Sequence, residues 1–264
     1  MSDIAELADR LDRARTGRAP IVQLTAGTEV DLESAYLVQR EGIALRVGRG
    51  ERVVGVKLGF TSKAKAEQMG VSDVILGVMT AQTQTEDGGE IDRSRFIHPR
   101  VEPEIALLLG ADLDPAAPAD EQLAAVAQVA PALEIIDSRY RDFRFSLADV
   151  VADNTSAAGF VVGEWRDLAT VLSDLDLADL EVTLEIDGEV AETGSTGDIL
   201  GDPLRAVAAV ARLASQHGVP VPAGSIILAG AATAAAPLPD RAGAQVVATV
   251  AGLGSVSCTI GGAR

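Results

Sequence analysis

In the run His98-Pro-Arg100-Val-Glu102-Pro-Glu104-Ile-Ala, the polar and charged residues fall on even positions and the apolar ones on odd positions. A strand sends successive side chains to opposite faces. His98, Arg100, Glu102 and Glu104 would therefore share one surface, and Ile97, Pro99, Val101, Pro103 and Ile105 its reverse. Glu102 and Glu104 then project in parallel with Cα atoms roughly 6.5 Å apart. Two such carboxylates repel unless a proton or a cation sits between them. Carboxylate oxygens suit hard ions, Mg²⁺ or Mn²⁺, whereas 2 histidines and the single Cys258 cannot build a typical structural zinc site. The same alternation also fits a solvated strand face with paired surface acids, and a Glu-X-Glu spacing alone does not choose between them.

Two further residues carry possible chemistry. Glu134 lies between Leu133 and the pair Ile135-Ile136, in what reads as a buried strand. A carboxylate there needs a partner, because burying an unpaired charge is strongly unfavourable. A salt bridge to Arg139 or another base would supply one and a shared metal another; Asp137 is an alternative to Glu134 as ligand. Lys57 shares its strand face with Gly55 and Gly59. Missing side chains beside a lysine let a ligand or another backbone approach it closely. The plainer reading is a surface lysine on an edge strand.

The elements that must position these groups follow from periodicity. Ser2 to Ala14 places Ile4, Leu7, Ala8 and Leu11 on one helical face, and Asp31 is placed to cap a second helix carrying Tyr36, Leu37 and Ile43. From Arg52 to Phe60 the period changes to two, the mark of a strand. Ile97 to Leu109 reads as a strand, Glu121 to Val129 as a short Ala-rich helix, and Leu133 to Ile136 as a second strand. Leu180 to Ile186 alternates and is followed by Asp187-Gly188, which predicts a type I′ hairpin. Asp202 and Pro203 suit the N-cap and first position of a helix running to His217, with Gly218 as its stop. Strands near Ile226 to Ala229, Gln245 to Val250 and Ser255 to Ile260 close the chain. Antiparallel signals with few interspersed helices predict an α+β fold. A boundary near residue 70 divides it into an N-terminal helical and strand lobe, 1–70, and a metal-binding catalytic part, 71–264.

Composition narrows the function classes. At 264 residues, 47% hydrophobic and 23% charged, the chain can bury a substantial core. With 39 acidic and 22 basic residues the net charge is -17, which disfavours nucleic-acid and anionic-membrane partners. One cysteine excludes an intrachain disulfide, no basic region with an apolar signal core opens the chain, and Gly224 to Leu238 is too short to span a bilayer. These features predict a cytoplasmic protein.

The segments Gly55-Val-Lys57-Leu-Gly-Phe-Thr61-Ser62-Lys63, His98-Pro-Arg-Val-Glu102-Pro-Glu104-Ile-Ala, Ala132-Leu-Glu134-Ile-Ile-Asp137-Ser138-Arg139-Tyr140 and Val151-Ala-Asp153-Asn154-Thr-Ser156 occur in that order. Pro222-Ala-Gly-Ser-Ile-Ile-Leu, Thr233-Ala234 and Gly252-Leu-Gly-Ser-Val follow. Together they resemble the 2-keto-4-pentenoate hydratase and 4-oxalocrotonate decarboxylase branch of the fumarylacetoacetate hydrolase superfamily, over nearly the whole chain.

The resemblance implies a mixed β-sheet roll of the fumarylacetoacetate hydrolase type, with the helical lobe at its N-terminus. It implies Mg²⁺, with Mn²⁺ as an alternative, held by Glu102, Glu104 and Glu134 and chelated by the carboxylate and keto oxygen of a small 2-oxo acid. Lys57 maps onto the lysine near the substrate, and Ser62, Asp73, Arg139, Arg141 and Thr233 onto the substrate's surroundings. The implied reaction is decarboxylation of 2-oxohex-3-enedioate, within meta-cleavage catabolism of aromatic compounds. Hydration of 2-hydroxypenta-2,4-dienoate is the alternative. The segment Ser138-Arg139-Tyr140-Arg141-Asp142-Phe143-Arg144-Phe145 looks closer to the decarboxylases. The resemblance also implies a homo-oligomer able to associate with a hydratase, and it raises a non-catalytic alternative, a silent partner subunit. A protein of charge -17 needs local cations to accept a dicarboxylate. One of Arg139, Arg141, Arg144, Lys63 or Lys65 is therefore expected at the distal end of the pocket.

Overall fold

The computed structural model describes residues 3–62 and 73–262. The expected boundary at residue 70, and Lys63 and Lys65, lie outside the described residues. Helix α1 (Ile4–Gly17) is capped by Asp3, whose carboxylate accepts from the Ala5 and Glu6 amides, and it buries Leu7, Ala8, Leu11 and Ala14. In α2 (Leu32–Gly48) Asp31 caps the Ser34 amide as its position predicted. Its buried face runs through Ala35, Tyr36, Val38 and Gln39, while Leu37 and Ile43 are half-buried.

In chain order the strands are β1 (Val53–Gly59), β2 (Ile75–Thr80), β3 (Gln84–Thr85), β4 (Glu90–Asp92), β5 (Arg100–Leu109), β6 (Val126–Ile136) and β7 (Ala157–Val162). They continue with β8 (Arg166–Asp167), β9 (Glu181–Ile186), β10 (Glu189–Ser195), β11 (Ile226–Ala231), β12 (Ala236–Pro237), β13 (Gln245–Val250) and β14 (Gly254–Gly261). A nine-stranded sheet runs β2-β1-β11-β5-β6-β7-β3, with β12 added to β5 and β8 to β6. The other sheet has five strands in the order β10-β9-β13-β14-β4. Strand β1 is an interior strand, parallel to β11 and antiparallel to β2, so Lys57 is not on an edge.

The large sheet curls. Met79 of β2 and Phe160 of β7 join one apolar cluster with Ala106, Ala130, Ala132, Ile226 and Leu228, which lines the inner face of the roll. The Asn154 side chain closes the curl, accepting from the Val78 amide at 2.8 Å and donating to the Val78 carbonyl at 2.9 Å. On the outer face, Val56, Leu58, Ile105, Leu107 and Ile227 pack against α1, α2 and the helix Arg205–His217. Val101, Leu133, Ile135 and Val161 pack against Leu184, Val246, Val256 and Ile260 of the small sheet. The odd residues of β5 thus form the wall between layers, which fixes the even residues inside.

Two local expectations change. The helix expected from Glu121 to Val129 ends at Ala124, because Val126 to Val129 pair with β5 and their pairing outweighs the helical preference of an Ala-rich run. The helix expected from Asp202 starts at Arg205. Asp202 instead caps the turn before it, its carboxylate accepting from the Leu204 amide at 2.8 Å, and three-residue hydrogen bonds from Arg205, Ala206 and Val207 lead in. The Asp187-Gly188 turn has φ of 55° and 79°, the two left-handed residues of a type I′ hairpin.

Candidate metal centre and active site

Strand register assembles the acids. Glu102 is the direct partner of Glu134 across β5 and β6, and Glu104 stands opposite Ala132 on the same face. One oxygen from each of the three carboxylates lies within 4.8 Å of the others. All are buried, Glu102 at 6% exposure and Glu104 and Glu134 at 1%. Glu104 Oε2 accepts from the Gly230 amide at 2.8 Å, while Glu104 Oε1 and Glu134 Oε1 have no hydrogen-bond partner. Lys57 reaches across from β1, its Nζ 2.8 Å from Glu134 Oε2. Glu134 therefore pairs with Lys57; Arg139 is engaged elsewhere.

Among the described residues, these three carboxylates and one ammonium sum to a formal charge of -2. Burial, then repulsion by Glu134, holds the Glu104 carboxyl well above the usual carboxylate range. Burial raises Glu134 as well, against the pull of Lys57. Burial alone would lower Lys57, but attraction by Glu134, Glu104 and Glu102 prevails and keeps its pKa above the ordinary lysine value. Converging buried carboxylate oxygens, Glu104 Oε1 and Glu134 Oε1 among them without a hydrogen-bond partner, are the donor set that a hard divalent cation satisfies. The residues present fit a Mg²⁺ or Mn²⁺ ion, which Glu102, Glu104 and Glu134 could hold.

The glycines beside Lys57 admit protein rather than ligand. A Cβ on Gly55 would overlap the Ile226 carbonyl, and one on Gly59 would lie 2.7 Å from Thr155 Cγ2. Gly77, opposite Lys57 on β2, leaves room for the lysine stem, with a Cβ there only 3.1 Å from Lys57 Cδ. Asn154, Thr155 and Ser156 follow one another with φ of 51°, 54° and 57°, left-handed conformations that cost free energy for residues with side chains. This turn supplies the Thr155 carbonyl, 3.4 Å from Lys57 Nζ. It also holds Ser156 Oγ, buried without a hydrogen-bond partner, at the wall of a cavity of about 710 Å³. Lys57, Glu102, Arg100, Phe143 and Arg144 line the same cavity.

The expected substrate-side residues separate. Ser62 and Asp73 line a neighbouring cavity that, among the described residues, shares only Phe60 with the first, and Asp73 pairs with Arg212 at 2.7 Å. Arg139 is 4% exposed, away from the Lys57 cavity, and its Nε and Nη2 are engaged by the carboxylate and the backbone carbonyl of Asp153. Arg141 is exposed and does not line the cavity. The Thr233 hydroxyl donates to the Ala234 carbonyl at 2.8 Å, turning the backbone so that Ala234 and Ala235 form part of the wall. Asp137, the alternative ligand, accepts from the Ile97 and His98 amides through its two oxygens and so orients the approach to β5. Asn154, Ser156 and Arg100 were not singled out from sequence. Arg100 was visible there, since it shares the parity of Glu102.

Comparison with known proteins decides the family. The model of the fumarylacetoacetate (FAA) hydrolase C-terminal domain matches residues 51–261. The chain belongs to the fumarylacetoacetate hydrolase family. It is 51% identical over 261 residues to a 4-oxalocrotonate decarboxylase from Pseudomonas sp., covering 99% of each chain. A 2-keto-4-pentenoate hydratase from Burkholderia vietnamiensis is 38% identical, with 98% and 99% of the two chains covered. Among family structures, a 4-oxalocrotonate decarboxylase from Pseudomonas putida G7, complexed with magnesium and adipate, superposes with a TM-score of 0.90 at 37% identity over 97% of both chains. The α+β roll expected from the resemblance is the family's fold, and no helix among the described residues is long and apolar enough to cross a membrane.

Proposed function

We propose that the chain is a Mg²⁺-dependent lyase that decarboxylates 2-oxohex-3-enedioate (4-oxalocrotonate) to 2-hydroxypenta-2,4-dienoate in meta-cleavage catabolism of aromatic compounds. The observation that carries this reading is a single cavity with two kinds of end: an acid cluster fit for a divalent ion beside Lys57, and arginines at the rim. Identity of 51% to a 4-oxalocrotonate decarboxylase over 99% of the chain supports it.

When bound, the cation supplies Lewis acidity toward the keto oxygen of the 2-oxo acid. The electron pair of the breaking C5–C6 bond moves through the C3=C4 unit to that oxygen, and carbon dioxide departs. Lys57, kept protonated by Glu134, offers positive charge and a proton beside the dienolate so formed. Ser156 Oγ, lacking a protein partner, is available to hydrogen-bond the substrate. The strained turn 154–156 holds both groups in place, and the apolar inner face of the roll excludes water from behind them.

The hydratase alternative is favoured by relatives such as the Burkholderia vietnamiensis enzyme at 38% identity. An intact acid cluster with its paired lysine speaks against a silent partner subunit. The proposed setting is the cytoplasm, as a homo-oligomer able to associate with a hydratase. Product analysis of purified protein with Mg²⁺ or Mn²⁺ and each substrate tests the reading. Metal-dependent release of carbon dioxide from 2-oxohex-3-enedioate is expected. Turnover of 2-hydroxypenta-2,4-dienoate alone would replace the decarboxylase with the hydratase.

A further inference from the structure

Among the described residues, the acid cluster and Lys57 account for one end of a 2-oxo dicarboxylate and do not themselves receive its second carboxylate. Arg100 lies on the same face of β5 as Glu102 and Glu104. Its ladder partner is Ile136, one same-face step from the Glu102 and Glu134 rung, a distance of about 6.8 Å along an antiparallel strand. A six-carbon diacid joins its carboxyl carbons through five bonds of about 1.5 Å, bent at each carbon, so its span is comparable. Arg100 and Ile136 both line the cavity that Lys57 and Glu102 enter.

The guanidinium is also positioned. Arg100 Cζ lies 5.1 Å from the centroid of the Phe143 ring, within cation–π range. Phe143 is braced by His98, with ring centroids 4.8 Å apart, and by Phe145 at 6.3 Å. Asp142 and Phe143 have φ of 56° and 54°, a pair of left-handed residues with side chains. Such strain persists where surrounding structure enforces it, and here it sets an aromatic platform beneath a cation at the cavity wall. No carboxylate among the described residues pairs with Arg100. The other arginines differ: Asp153 occupies Arg139, Asp73 occupies Arg212, and Arg144, exposed like Arg100, has no ring beneath it among the described residues.

We propose that Arg100, seated on Phe143, grips the distal carboxylate of the substrate and makes the site selective for dicarboxylate over monocarboxylate 2-oxo acids. The planar fork can take a carboxylate through two hydrogen bonds, and it supplies the local positive charge that a protein of charge -17 otherwise lacks. This assignment rests on the 2-oxo acid chemistry proposed above.

Calorimetric titration of the Mg²⁺-loaded protein with 2-oxoadipate and with 2-oxohexanoate tests it. Wild type should favour the dicarboxylate by about tenfold or more, the scale of a charge-assisted bidentate contact. Arg100→Gln should remove that preference while changing 2-oxohexanoate affinity by less than about twofold, a built-in check that the variant is folded. Arg100→Lys should retain part of the preference and Phe143→Leu should reduce it, whereas Arg144→Gln should leave it intact. Preference that survives Arg100→Gln, or that vanishes with Arg144→Gln alone, overturns the assignment. Equal wild-type affinity for the two acids also overturns it while leaving the 2-oxo acid reading standing. If wild type binds neither acid, both fall.

Discussion

Glu102 on β5 and Glu134 on β6 are direct register partners, two carboxylates facing each other across one rung of an antiparallel ladder. Like charges so placed destabilise a sheet, and here burial removes the water that would soften the repulsion. The fold tolerates this arrangement through Lys57 on one side, and under the proposed function a bound cation would relieve the rest. Metal binding and stability are therefore linked. Mg²⁺ at about 100 times its Kd should raise stability by about 2.7 kcal/mol, seen as a rise of several degrees in Tm. Glu104→Gln should be more stable than wild type without metal and should show little metal-dependent rise. A thermal scan in which Glu104→Gln responds to Mg²⁺ like wild type would falsify the assignment of this carboxylate.

Lys57→Ala should lower kcat by roughly a hundredfold or more, the range of positioned proton donors, with a much smaller change in KM. That split marks an interaction made chiefly in the transition state. Steady-state kinetics on the folded variant, checked by circular dichroism, decides it; near wild-type turnover would leave Lys57 only the neutralisation of Glu134.

Gly230 performs two tasks. Its amide donates to Glu104, and at φ 125° its bare Cα lies where any Cβ would overlap the Thr61 side chain. Gly230→Ala should cost on the order of 2–4 kcal/mol of stability, combining strain with overpacking, and should weaken Mg²⁺ binding by moving the amide away from Glu104. Urea unfolding together with metal titration measures both. Unchanged metal affinity would show that the amide does not set the position of the carboxylate.

Breaking the buried Arg139 and Asp153 pair with Arg139→Met should destabilise the fold by about 3–5 kcal/mol, since it leaves a buried carboxylate without its cation. Burial pushes the Asp153 carboxyl up to about 6, despite the pull of Arg139. A folded-state pKa above the ordinary value near 3.9 means that the folded chain holds this proton more tightly. The stabilisation is full below about pH 4 and lost as pH rises through about 6. Asp153→Asn lacks this titration, so its stability deficit against wild type should narrow between pH 4 and pH 7. Denaturant midpoints across that range check the sign, and a widening gap would contradict it.

What could be read from sequence was what local periodicity dictates. The parity of β5 put Glu102 and Glu104 on one face without any knowledge of the partner strand. Asp31, the Asp187-Gly188 turn and Gly218 declared themselves through residue type at a fixed offset. The place of Arg139 was not legible for a different reason: a basic residue beside a buried carboxylate looks the same in sequence whether it pairs with Glu134, with Asp153 or with a substrate. Only the tertiary arrangement gave Glu134 to Lys57. Asn154, which ties β2 to the turn before β7, and Ser156 gave no local signal, since left-handed asparagine and serine conformations are imposed by packing. The helix misassigned through Val129 shows the same limit from the other side, because cross-strand pairing overrode local propensity.

Strand β1 has consequences for how the protein can be made. It carries Lys57, yet its parallel neighbour β11 is encoded near the end of the chain, with Lys57 in register with Leu228. During synthesis the lysine leaves the ribosome long before that neighbour, and the inner face of the roll cannot close until β11 has emerged. The nascent chain must therefore carry an unpaired strand edge while residues 60–225 are made, an interval in which aggregation or chaperone capture competes with folding. It follows that neither fragment of the coding sequence, cut near codon 70, would encode a portion of the candidate site that works alone. Co-expressed fragments would recover activity only by restoring the pairing of β1 with both β2 and β11.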